Sequence, residues 1–124
     1  MSNQYEVLIV DDDDMVRDSI AMVLARNHCN TATASSAQAG LELCDQKTFD
    51  VILTDLVMPE MDGVEFITAL RKKGIGTPIV TLTGGVRVGS QNLSAAAIEA
   101  GASIALKKPV NKQQLLDAIE KALT

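Results

Sequence analysis

Five short apolar runs, each separated from the next by a stretch with helical periodicity, leave this chain few folds to choose from. YEVLIV (5–10) and DVILT (50–54) are short, apolar and β-branched, the pattern of strands buried on both faces. PIVTL (78–82) and SIALK (103–107) read the same way, and NTATA (30–34) is small and threonine-rich, as an edge strand can be. Between the runs, Val16, Ile20, Val23 and Leu24 fall on one helical face, as do Val64, Ile67 and Leu70, and later Leu115, Leu116, Ile119 and Leu123. Helices over 36–45 and 90–100 complete five strand–helix pairs. Ser35 with Gln38, and Asn111 with Gln114, have the capping-box offset ahead of apolar runs. Such alternation predicts an α/β fold: a parallel sheet, helices on both faces and right-handed crossovers.

With 124 residues the chain is expected to form one domain over 1–124 around one sheet. Its net charge of −5, with no block of lysine and arginine, argues against direct binding to a phosphate backbone. No apolar run reaches the roughly 20 residues of a bilayer span, and the polar start MSNQYE has no signal-peptide pattern, so neither a membrane partner nor export is expected and the chain reads as cytoplasmic. Cys29 and Cys44 match no C-x-x-C spacing and read as free, packed thiols. His28, the only histidine, stands at the expected end of the first helix, where a surface position near the helix dipole is expected rather than catalysis.

Ligands of open parallel sheets bind outside the carboxyl ends of the strands, which turns the sequence into a list of candidates. These are Asp11 and Asp12 after the first strand, Asp55 after the third, Thr83 after the fourth and Lys108 just past the fifth. Three carboxylates brought together repel by roughly 4 kcal/mol per pair at about 4 Å and an effective dielectric near 20. They must therefore hold a cation or protons, and Mg²⁺ suits an oxygen-only donor set that leaves room for water and phosphate. A carboxylate nucleophile, a hard cation, an ammonium and a hydroxyl are the parts of a phosphoryl-transfer site. Asp13 and Asp14, next in the DDDD run, are placed to cap the first helix and to complement its dipole.

The segments LIVDDDD, DVILTDLVMPEMDGVEF, PIVTLTGG and ALKKPV, in that order along the whole chain, resemble the receiver domain of two-component response regulators. The resemblance implies a flavodoxin-like (βα)5 fold, an α/β/α sandwich whose five-stranded sheet has the order 2-1-3-4-5. It implies that Asp55 accepts a phosphoryl group from a histidine kinase or phosphotransfer protein. It further implies that Asp11, Asp12, Asp55 and the backbone carbonyl of Val57 hold Mg²⁺, that Thr83 and Lys108 bind the phosphoryl oxygens, and that the Lys108–Pro109 bond is cis. A domain of this kind catalyses only its own phosphorylation and dephosphorylation, and passes the signal to a downstream protein through the face formed by the fourth helix, fifth strand and fifth helix. In MPEMDG (58–63), Pro59 restricts Met58 and Asp62-Gly63 is a turn signal, with no catalytic role expected.

Ala105, the glycine-rich and longer connection between the fourth strand and fourth helix, and Val57 with Gly85 depart from the family pattern. Ala105 stands where the fifth strand usually carries a Tyr or Phe, and alanine has no rotamer to switch; the loop over 84–91, with Thr83 and Arg87, is expected to carry the change instead. Val57 and Gly85 occupy positions whose side chains often influence hydrolysis, and neither side chain can hydrogen-bond a water, which predicts slow self-dephosphorylation. GGVRVGSQ (84–91) has the glycine spacing of a phosphate loop but Ser90-Gln91 where Lys and Ser/Thr are needed, so no nucleotide site is expected. Two rival readings exist. One is a haloacid-dehalogenase-type phosphohydrolase, with Asp11 as nucleophile and Asp13 as acid. The other is a receiver fold that works as an unphosphorylated interaction module.

Overall fold

The computed structural model describes residues 4–84 and 90–124, residues 90–92 by their backbone only. Among the described residues five strands and five helices alternate: β1 (Tyr5–Val10), α1 (Asp14–Ala25), β2 (Cys29–Ala34), α2 (Ala37–Gln46), β3 (Val51–Asp55), α3 (Gly63–Lys72), β4 (Ile79–Thr83), α4 (Ser90–Ala100), β5 (Ile104–Lys107) and α5 (Lys112–Leu123). All pairings are parallel and the sheet order is β2-β1-β3-β4-β5. The expected threonine-rich edge strand is at the β2 edge.

Successive strand side chains point to opposite faces, so a strand covered on both sides must be apolar at every position. Leu8, Val10, Ile52 and Ile79 accordingly pack with Phe66, Ile67 and Leu70 of α3 and Ala97 of α4. Val7, Ile9, Leu53 and Val80 point the other way, onto Ile20 and Leu24 of α1 and Leu115 and Ile119 of α5. No helix among the described residues is long and apolar enough to cross a membrane.

Three strands, β3, β4 and β5, begin one residue later than the apolar runs suggest, and the first two also end one residue later. Pro78 has no N–H for the ladder, and its carbonyl accepts from the Ile52 N–H at 3.0 Å. Asp50 exchanges bonds with Glu6: its N–H donates to the Glu6 carbonyl at 2.7 Å, and its Oδ2 accepts from the Glu6 N–H at 2.7 Å. The shift makes Asp55 and Thr83 the last residues of their strands.

The expected Asn111/Gln114 capping box is present, with reciprocal bonds of 2.8 and 3.0 Å. The expected Ser35/Gln38 box is not: Ser36 is the N-cap of α2, its Oγ accepting from the Ala39 N–H at 3.1 Å, and an alanine at the third helical position has nothing to return. Asp62 and Glu65 form a full capping box at α3 that the turn signal alone did not announce. His28 is exposed with φ 67° in the turn from α1 to β2; Cys29 is buried, Cys44 half-buried, and both are free thiols whose pKa burial pushes up.

Candidate functional site

β1 and β3 are neighbours in the middle of the sheet, with Val10 paired to Thr54, so the residues ending them emerge side by side. Asp11 is fully buried, and each of its four polar groups has a partner. Its N–H donates to the Ala34 carbonyl at 3.1 Å, and its carbonyl accepts from Arg17 Nη1 at 2.9 Å. Its Oδ1 accepts from the Asp13 N–H at 2.9 Å and its Oδ2 from Lys108 Nζ at 3.0 Å. The other three aspartates of the run have separate placements. Asp12 is exposed; Asp13 is the N-cap of α1, accepting from the N–H groups of Met15 and Val16 at 3.0 and 3.2 Å; Asp14 bonds Arg17 Nη2 at 2.5 Å.

Asp55 is 6% exposed, with Oδ1 accepting from the Val57 N–H at 3.3 Å and Oδ2 3.3 Å from Lys108 Nζ. Two neighbours fix its backbone. The Thr54 hydroxyl donates to the Asp55 carbonyl at 2.9 Å. Gly63 brings the N-terminus of α3 so close that a Cβ there would lie 2.4 Å from that carbonyl oxygen and 2.7 Å from Leu56 Cα, while its N–H donates to the Leu56 carbonyl at 2.9 Å. The glycine of the MDG segment is thus required by close approach of backbone to backbone. Lys108 follows β5, tied by its N–H to the Thr83 carbonyl at 2.7 Å, and the Lys108–Pro109 bond is cis.

Carboxylate oxygens of Asp11, Asp12 and Asp55 lie within 4.8 Å of one another. Among the described residues one ammonium, Lys108, pairs with two of these three carboxylates, so the carboxylates there outnumber the paired cation by two. Burial pushes the Asp55 carboxyl above its usual value; Lys108 pulls it down and Asp11 pushes it up, with a net upward result. At Lys108, burial lowers the pKa, but the hydrogen bond to Asp11 and the charges of Asp55 and Asp11 outweigh it and the ammonium is favoured. The cluster opens into a cavity of about 500 Å³ bounded by Asp12, Asp55, Val57, Gly84 and Lys108. A cluster of hard oxygen donors with excess negative charge and an open, water-accessible side fits a divalent cation such as Mg²⁺.

A family model described as response regulator receiver domain matches residues 7–120. The chain belongs to the response regulator receiver family. It is 36% identical over 118 residues to the transcriptional regulatory protein FixJ of Rhizobium meliloti, covering 95% of this chain and 56% of that protein. It is 35% identical over 123 residues to the transcriptional regulatory protein SrrA of Staphylococcus aureus, covering 99% of this chain and 48% of that one. The chain therefore spans about half the length of these curated relatives. Among solved structures, FixJ-N matches with a TM-score of 0.89 at 35% identity, covering 99% of this chain and 95% of that one. A receiver domain protein of Clostridium thermocellum matches with a TM-score of 0.88 at 29% identity, covering 96% and 94%. The chain is thus a two-component signalling receiver with the flavodoxin-like sheet order that its sequence implies.

Of the receiver residues expected from the sequence, Asp11, Asp12, Asp55 and Lys108 converge, and Val57, 38% exposed, lines the cavity. Thr83 ends β4 beside them, but its hydroxyl turns toward β5 and donates to the Leu106 carbonyl at 3.3 Å. Ala105 is exposed on β5, paired with Thr81. Gly85, Arg87 and Gly89 lie outside the described residues, and so does most of the 84–91 loop. Arg17 and Thr54, not singled out from the sequence, also shape the site, as does Gly63, expected only as a turn residue.

Proposed function

We propose that Asp55 is the phosphoacceptor of this receiver and that the donor is a phosphohistidine on a histidine kinase or phosphotransfer protein. The reading is carried by the convergence of Asp55 with Asp11, Asp12 and Lys108 at the carboxyl edge of the sheet. In the transfer an Asp55 carboxylate oxygen attacks phosphorus and the phosphorus–nitrogen bond of the donor breaks. The imidazole leaves with the electron pair, and an acyl phosphate forms on Asp55. Water attack on that phosphorus returns the carboxylate and releases inorganic phosphate. The chain acts on no other substrate.

The carboxylates of Asp11, Asp12 and Asp55, with the Val57 carbonyl, would hold Mg²⁺, whose charge when bound offsets that of the carboxylates and the phosphoryl oxygens. Lys108 supplies an ammonium already facing both Asp11 and Asp55, ready to pair with a phosphoryl oxygen in place of a carboxylate one. Thr83 supplies a hydroxyl whose present bond to the Leu106 carbonyl is long, so exchanging it for a phosphoryl oxygen costs little. The Val57 side chain offers no group to orient water, so hydrolysis of the acyl phosphate is slow.

The phosphoryl group then acts as a covalent ligand that biases the surface of α4, β5 and α5 toward a downstream protein. Because Ala105 has no rotamer to relay the change, the segment between β4 and α4 carries it. Residues 1–124 work as one receiver domain. The relatives FixJ and SrrA are transcriptional regulatory proteins, and any link of this receiver to DNA runs through a partner or further chain rather than through its own acidic surface. The test is labelling by a small phosphodonor such as acetyl phosphate with Mg²⁺, on the wild type and Asp55→Asn. Labelling of the wild type alone is expected; undiminished labelling of the variant overturns the assignment.

A further inference from the structure

We propose that Arg17, aimed by Asp14, is a positioning residue of the cation site: it fixes the backbone from which Asp11 and Asp12 present their carboxylates. The proposal rests on the reading of Asp11, Asp12 and Asp55 as that site. Asp11 is fully buried at the last turn of backbone before α1, and three of its four polar groups are held by Ala34, Asp13 and Lys108. The fourth, its carbonyl, has Arg17 Nη1 as its partner at 2.9 Å. A buried carbonyl left without a donor is costly, so removing that guanidinium favours a shift of the backbone between β1 and α1 that brings the carbonyl to water. Asp11 and Asp12 are both carried by that stretch of backbone, so such a shift displaces their carboxylates together.

The guanidinium is suited to this task by its fork. Its second arm, Nη2, is bonded to Asp14 Oδ1 at 2.5 Å, and the Arg17 side chain is 14% exposed against 78% for Asp14. Asp14 thus holds one arm from the solvent side while the other arm reaches inward. A lysine has a single ammonium and cannot reproduce this two-armed grip on acceptors that lie apart.

Geometry and charge make opposite predictions, which isolates the effect. A positive side chain near a cation site repels the cation, so charge alone predicts tighter binding once Arg17 is removed. Positioning predicts weaker binding. The experiment is titration of the folded protein with Mn²⁺, a probe that shares the preference of Mg²⁺ for oxygen donors, read by the electron paramagnetic resonance of the free ion. Arg17→Ala is expected to weaken Mn²⁺ binding by about 10-fold or more, as loss of outer-shell support does elsewhere, and Arg17→Lys to recover part of it. Binding by Arg17→Ala as tight as wild type, or tighter, overturns the proposal.

If Arg17→Ala does not fold, Asp14→Asn decides against Asp18→Asn, which makes the same charge change at another exposed position of α1. The Asp14 variant is expected to bind more weakly than the Asp18 variant, and equal affinities overturn the proposal. Wild-type protein that binds Mn²⁺ no better than Asp12→Asn would instead strike the cation-site reading itself, and the role of Arg17 with it.

Discussion

The two sides of the site are built differently. At the junction of β1 and β3, every position of β3 is buried, Asp11 has a partner for each polar group, and Asp55 is wedged between the Thr54 hydroxyl and Gly63. At the edge formed by β4 and β5, β5 is only four residues long, none of them buried, and the Thr81 and Thr83 hydroxyls donate to β5 carbonyls at 3.5 and 3.3 Å. Lys108 spans the two, reaching from the end of β5 to both acidic residues. An anchored side that presents the proposed phosphoacceptor and a lightly held side that can rearrange around the product are what a phosphorylation switch needs.

Matched truncations give the sharpest contrast. Leu53→Ala, in the fully buried β3, should cost about 4 kcal/mol in urea denaturation, and Leu106→Ala, in the partly exposed β5, about 1 kcal/mol. Equal costs would break the contrast between the two sides. Next in size is Gly63→Ala, expected to destabilise by about 3 kcal/mol because the new methyl meets the Asp55 carbonyl and the Leu56 backbone. An unchanged midpoint there would mean that α3 can retreat from Asp55 without penalty.

A smaller, pH-dependent effect belongs to Asp55. Its carboxyl is pushed above the usual 3.8 chiefly by burial, so the native state holds that proton more tightly than the unfolded chain does. The favourable contribution is therefore fully present below 3.8 and is lost as the pH rises through the folded value. Asp55→Asn should unfold at higher urea than wild type at neutral pH, with the gap closing at pH below 3.8; a gap constant with pH would contradict this. Smallest is Ala105→Tyr on the exposed edge, expected to change stability by no more than about 0.5 kcal/mol. A larger loss would show that the β5 edge is packed more tightly than its exposure implies.

The same contrast explains what the sequence could reveal. β1, β3 and β4 are legible because strands covered on both faces must be apolar throughout, and Asp11, Asp12 and Asp55 stand out as charges that interrupt such runs. Ser36 was missed in favour of Ser35 because adjacent serines satisfy the same pattern and only backbone angles separate them. Gly63 reads as an ordinary turn glycine, since its purpose, contact with the Asp55 carbonyl, depends on tertiary approach. Arg17 was missed although it stands three residues after Asp14, an ion-pair spacing on a helix. That spacing marks only one of its two arms, and the other reaches a backbone carbonyl that leaves no trace in sequence.

We propose Asp55 as the residue on which the phosphoryl group is carried. Phosphorylated protein should be reduced with borohydride, which converts an aspartyl phosphate to homoserine, and its peptides mapped by mass spectrometry. Homoserine at position 55 alone is the predicted result. Homoserine at Asp11, as a haloacid-dehalogenase-type nucleophile would give, or at no aspartate at all, would contradict it.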